Sequence, residues 1–92
     1  MGIRPRQKPK RLAEKLLAIR TRLGLSQAAI VKRLDVEEMI VPGQISEFET
    51  GKREPSLPVL LRYARAAGVC LDLIVDDEVD LPNKLPAKSR HK

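Results

Sequence analysis

The stretch Val41–Ser56, VPGQISEFETGKREPS, holds most of the side chains that have chemistry to offer. Gln44 carries an amide that donates and accepts hydrogen bonds, Glu47 and Glu49 carry carboxylates that only accept, and Lys52 and Arg53 follow as adjacent cations. Gln44 and Glu47 are three residues apart, so on a helix they share a face. Such a set suits the recognition of another hydrogen-bonding, charged surface. It does not suit the making or breaking of bonds.

Catalysis finds no support elsewhere in the chain. The one histidine, His91, is next to the last residue, and neither a serine nor the single cysteine, Cys70, has a base near it in the pattern. No group of histidine, cysteine and acidic residues has the spacing of metal ligands. No enzymatic activity, metal or cofactor is therefore expected. A lone cysteine forms no internal disulfide, and the apolar neighbours of Cys70 predict a small buried thiol.

Charge is segregated along the chain. Lys and Arg number 18 against 12 Asp and Glu, a formal net charge of +6. Residues 1–34 hold ten bases and one acid, Glu14, whereas residues 35–51 hold five acids and no base. Five more acids lie between Asp72 and Asp80, and four bases follow Leu81. A separation of this kind produces a basic face that attracts phosphates and releases counterions. The aromatic residues are Phe48 and Tyr63 alone, too few for a platform that stacks single-stranded bases.

Ninety-two residues make one domain. No apolar run approaches the roughly 18 residues of a membrane span, and MGIRPRQKPKR has no apolar stretch of signal-peptide type. The expectation is a soluble chain in the cytoplasm of a bacterium or phage host, associated with the nucleoid. Residues 1–9 read as a flexible basic arm, 10–81 as the folded domain and 82–92 as a basic, loosely ordered tail.

Within the domain the periodicity is helical throughout. Leu12, Leu16, Ile19 and Leu23 recur every three or four residues, with Arg11, Lys15, Arg20 and Arg22 mostly on the other faces, and Gly24 stops the pattern. Ser26 caps a second helix, QAAIVKRL, and Pro42 or Gly43 opens a third that ends at Gly51. Ser56 caps a fourth, LPVLLRYARAA, which Gly68 stops; CLDLIVDD reads as a short fifth helix or turn. The fold class is all-α, five short helices with the second and third joined by a turn.

These motifs carry a family resemblance. From Leu12 to Val75 the chain resembles the helix-turn-helix domain of the lambda-repressor and Cro type, also called the xenobiotic response element family of transcriptional regulators. IRTRLGLSQAAIVKRL and QISEFETGKREPSLPVLLRYARAAGV carry the likeness and cover over half of the sequence. The resemblance implies a compact lambda-repressor-like domain whose third helix enters the DNA major groove.

Roles for individual residues follow from that resemblance. Gln27 is expected to hold a phosphate and brace the third helix, helped by the amides at its own helix start. Lys52 and Arg53 match phosphate-contacting positions, and Ser46 is either a packing residue or a phosphate partner. Glu49 is expected to pair with Arg20 as a structural ion pair. Gln44 is the expected base reader, since an amide fits N6 and N7 of adenine, and Glu47 can accept from the amino group of cytosine. Arg4, Arg6 and Lys8, with Lys10 and Arg11, form an arm able to reach the DNA backbone or minor groove. Arg22, Lys32 and Arg33 can add phosphate contacts.

One departure stands out. Val36 and Ile45 are separated by the eight residues EEMIVPGQ where the family has four, and Asp35 stands where a glycine is common. The additional run Met39–Val41 is apolar, so it either folds into the core or forms a patch for a partner or second subunit. The overall expectation is a sequence-specific, double-stranded-DNA-binding regulator, a repressor or an antitoxin-type protein, acting as a homodimer through its fifth helix and acidic segment, with a toxin or other protein as a possible partner. The competing expectation is a protein-interaction module that uses the Met39–Val41 patch.

Overall fold

The computed structural model describes residues 9–86 and arranges them as α1 (Leu12–Arg22), α2 (Gln27–Leu34), α3 (Pro42–Thr50), α4 (Leu57–Ala67) and α5 (Leu71–Val75). Among the described residues there is no strand, and no helix is long and apolar enough to cross a membrane. The all-α, five-helix expectation matches this order.

Local chemistry sets the helix ends. The hydroxyls of Ser26 and Ser56 accept the backbone N–H of Ala29 and Val59 at 3.0 and 3.4 Å, satisfying amides that the first turns of α2 and α4 leave without partners. Gly51, at φ 81°, turns the chain out of α3 in a left-handed conformation that costs glycine nothing. Asp35 does the same for α2 at φ 59°, the one non-glycine residue with positive φ among those described. Its short polar side chain belongs to the few types that visit this region. The backbone there closes as a Schellman motif, with Asp35 N–H on the Lys32 carbonyl and Val36 N–H on that of Val31.

The apolar stripe of α1 is buried as its spacing requires: Leu12, Leu16, Ile19 and Leu23 are all 5% exposed or less. It meets Ile45 and Phe48 of α3, Val59, Leu60 and Tyr63 of α4, and Ile74 of α5 in one cluster. α1 packs on α3, α4 and α5, and α2 on α3 and α4, so the α2–α3 pair rests on a base formed by the other helices.

Several expectations are corrected. Lys15 is not on a solvated face: it is 2% exposed, and its Nζ donates to the carbonyls of Leu73, Asp76 and Val79 at 2.9, 2.7 and 2.7 Å. Those carbonyls lie at and beyond the end of α5, where helix C-termini leave acceptors open and favour a cation. Arg11 is not part of an arm open to DNA either. Its Nη2 is 2.6 Å from Asp80, its Nε 3.1 Å from Glu14, and its Nη1 donates to the Asp77 carbonyl. The Asp77 carboxylate in turn accepts the backbone N–H groups of Lys10 and Arg11 at 2.8 and 2.9 Å, capping α1 from the far end of the domain. These two amides hold the Asp77 carboxyl below its ordinary range.

Cys70 is exposed, not buried, because it sits at the extended residue preceding α5 and the neighbouring apolar side chains take the core positions. Packing also extends past Leu81. Leu81 and Leu85, four residues apart, are 8% and 9% exposed and join the core cluster, so the beginning of the assigned tail is part of the packed domain. Arg22, assigned to phosphates, donates to the Pro82 carbonyl at 2.9 Å in this same region.

The longer turn divides between the two alternatives. Ile40 is buried at 7% exposure, whereas Met39 and Val41 are 51% and 60% exposed. Met39 and Ile40 both donate their N–H to the Val36 carbonyl, which folds the first half of the turn back on α2. Val41 then runs extended into α3, and extended backbone sends consecutive side chains to opposite sides.

Candidate nucleic-acid interface

α3 is short, and both of its ends are fixed by its own residues. At the start, the Gln44 Oε1 accepts the Val41 N–H at 3.0 Å, so the amide assigned to base reading also serves as a helix cap. One lone pair of the amide oxygen is engaged by this cap, and the amide NH2 is the group left wholly to offer. At the end, Gly51 and Lys52 close a Schellman motif on the carbonyls of Phe48 and Glu47, and Arg53 N–H also reaches the Glu47 carbonyl at 3.2 Å. The loop that carries both cations is thereby tied to the helix. Gly43, at the second helical position, has nothing within 4 Å of where a Cβ would stand, which leaves this part of α3 open to a large neighbour.

Two glutamate–arginine pairs flank the helix. On the inner side Arg20 grips Glu49 with two bonds, Nε to Oε2 at 2.6 Å and Nη2 to Oε1 at 3.0 Å, while its Nη1 donates to the Leu25 carbonyl. The carboxylate raises the Arg20 guanidinium further above its already high range. Gln27 Nε2 donates to Glu49 Oε1 at 3.4 Å, which places the first residue of α2 against this pair. The inner glutamate is thus turned away from solvent, with only 5% of its side chain exposed. Burial also pushes the Tyr63 hydroxyl above its ordinary range, so this neighbour stays un-ionised.

On the outer side Glu47 Oε1 accepts from Arg53 Nε at 2.7 Å, with 41% and 55% of the side chains exposed. Ser46, Lys52 and Arg53 are exposed, as are Lys32 and Arg33 on α2. Ser46 contributes its carbonyl to the Thr50 hydroxyl at 3.0 Å. A cleft of about 220 Å³ separates Lys10, Leu12 and Ala13 at the root of α1 from Phe48, Lys52 and Arg53. Pro9 and Lys10, at the start of the described residues, therefore lie beside the cationic loop. Arg4, Arg6 and Lys8 themselves fall outside the described residues.

The arrangement presents a short helix with a small-residue start, one amide and one paired carboxylate on its outer side, and cations at its exit. A family model described as a helix-turn-helix domain matches residues 11–74. The chain belongs to that family. This helix-turn-helix domain is of the lambda-repressor and Cro type that its sequence motifs resemble. Its backbone superposes on the P22 c2 repressor, solved in complex with the synthetic operator 9T, with a TM-score of 0.62 at 26% identity, over 72% of this chain and 94% of that one. It is also 36% identical over 70 residues to the antitoxin HigA1 of Mycobacterium tuberculosis, in the strains CDC 1551 / Oshkosh and ATCC 25618 / H37Rv. Those 70 residues are 76% of this chain and 44% of the antitoxin's length. Among the described residues no group of histidine, cysteine and acidic side chains could hold a metal ion.

Sequence reasoning did not find the capping role of Gln44 or the Glu47–Arg53 bond. The first was readable in principle, because a glutamine three residues after the residue that precedes a helix is a capping signature. The second needed the turn at Gly51, which brings a residue six positions away back onto the helix face.

Proposed function

We propose that this chain is a sequence-specific, double-stranded-DNA-binding transcriptional regulator of repressor or antitoxin type. The observation that carries the reading is the match over 94% of the repressor chain solved in complex with its synthetic operator, combined with an α3 whose exposed side and exit loop carry polar and cationic groups. α3 lies in the major groove, which is about 12 Å wide and admits a helix. Gln44 reads a base through its amide NH2. The Glu47 carboxylate enters the groove already paired with Arg53. Lys52 and Arg53 neutralise phosphates without reading sequence, joined by Gln27 and Ser46, while Arg4, Arg6 and Lys8 extend the contact from the root of α1.

The protein acts as a homodimer on two half-sites about 34 Å apart, without enzymatic activity of its own. The likeness to an antitoxin supports a toxin as a further protein partner. A second reading, an interaction module, is favoured by the exposure of Met39 and Val41 beside α3.

Titration against mixed genomic fragments at several salt concentrations tests the first reading. Binding that weakens steeply with salt is expected, because phosphate contacts release counterions. No retardation of any fragment at low salt would favour the interaction module. Arg53→Ala should weaken binding to all sequences alike and lower the salt slope by about one, whereas Gln44→Ala should also relax the preference at one base pair.

A further inference from the structure

An acidic residue on the exposed side of a DNA-reading helix should repel the polyanion, unless something at hand changes its charge environment. The outer side of α3 supplies that change. Glu47 receives three bonds from the loop that follows the helix: its carbonyl takes Lys52 N–H at 2.9 Å and Arg53 N–H at 3.2 Å, and its carboxylate takes Arg53 Nε at 2.7 Å. Backbone and side chain of one residue thus fix both the path of the cationic loop and the plane of its guanidinium. Nε is the nitrogen used, so the opposite edge, formed by the two Nη groups, points away from Glu47. A guanidinium presents five N–H donors in a rigid fork, and planar bidentate pairing with phosphate oxygens needs that edge aimed correctly.

We propose that Glu47 is a positioning residue for Arg53. Resting on the DNA-binding reading, it holds the guanidinium for a backbone phosphate and does not itself read a base. Two features support this over direct reading of cytosine. The carboxylate oxygen is committed to a charge-assisted bond of ideal length, and the arginine it holds belongs to the loop whose backbone the same residue anchors. The pairing also answers the charge problem: glutamate and arginine together bring no net negative charge to the groove, whereas a lone carboxylate would.

A double-mutant cycle on the full chain, with duplex affinity measured over a range of salt, tests the proposal. Glu47→Ala should weaken binding roughly threefold to tenfold on every duplex, the lower part of the range for directly coupled side chains because this pair is solvent-accessible, and should lower the salt slope as Arg53→Ala does. In the Arg53→Ala background the sign should reverse. There Glu47→Ala removes an unpaired carboxylate and tightens binding. Glu47→Gln, which keeps an acceptor oxygen for Nε, should recover most of the loss. Arg53 is exposed and Glu47 half-exposed, and unchanged thermal unfolding of each variant verifies the fold. Additive effects of the two substitutions overturn the proposal, as does a Glu47→Ala change confined to preference at one base pair with the salt slope intact. Absence of wild-type binding at low salt overturns the DNA-binding reading itself, and is recognisable as such before any variant is compared.

Discussion

The two glutamates of α3, separated by one residue, hold arginines in opposite ways. Glu49 and Arg20 are joined by two bonds with 5% and 17% of their side chains exposed, whereas Glu47 and Arg53 share a single bond with 41% and 55% exposed. The chemistry is the same and the surroundings differ. A largely buried pair has lost most of its hydration, so either partner alone is a poorly solvated charge. An exposed pair keeps water within reach and salt screens it, so it contributes little to stability and leaves the arginine's Nη edge open to a ligand. One helix therefore uses one pair to fix its orientation on α1 and the other to present a cation outward.

The largest expected effect tests the inner pair. Glu49→Ala strands the Arg20 guanidinium and withdraws the acceptor from Gln27, and it should lower stability by about 3 kcal/mol. Urea unfolding monitored by circular dichroism measures it. A loss below about 1 kcal/mol would put the inner pair in the class of exposed pairs and erase the contrast.

How much of this was legible beforehand depended on range. The stops at Gly24 and Gly68, the caps at Ser26 and Ser56 and the buried stripe of α1 are short-range chemistry, readable because partner and group lie within four residues. The Arg20–Glu49 pair spans 29 positions, and only the family resemblance pointed to it. Nothing local distinguishes Lys15 from the surface cations around it, since its three acceptors are created by the end of α5, 58 to 64 positions away. Asp77 likewise looks like one acid among five, yet it caps α1. The longer turn resisted for a different reason: Met39, Ile40 and Val41 are all apolar, and composition does not reveal that folding sends one inward and two outward.

Lys15 sharpens the comparison, because it is a buried cation with carbonyls in place of a carboxylate. If burial governs the cost of breaking a contact, Lys15→Met should still destabilise, by about 2 kcal/mol, since an apolar chain of similar length fills the space but leaves three carbonyls without their donor. Chemical denaturation gives the value. Stability equal to wild type would mean that charge pairing, and not burial, sets the inner pair apart.

The smallest expected effect belongs to the outer pair. Glu47→Ala, Arg53→Ala and the double variant should each unfold within about 0.5 kcal/mol of the wild type, because side-chain ordering and screening offset most of the attraction between exposed partners. The backbone bonds from Lys52 and Arg53 to the Glu47 carbonyl survive both substitutions, so α3 still ends at Gly51. A loss of 2 kcal/mol in either single variant would show that the loop depends on the side-chain bond for its fold. The two pairs would then do the same work at different depths, and a DNA defect in these variants would report instability in place of misaimed charge.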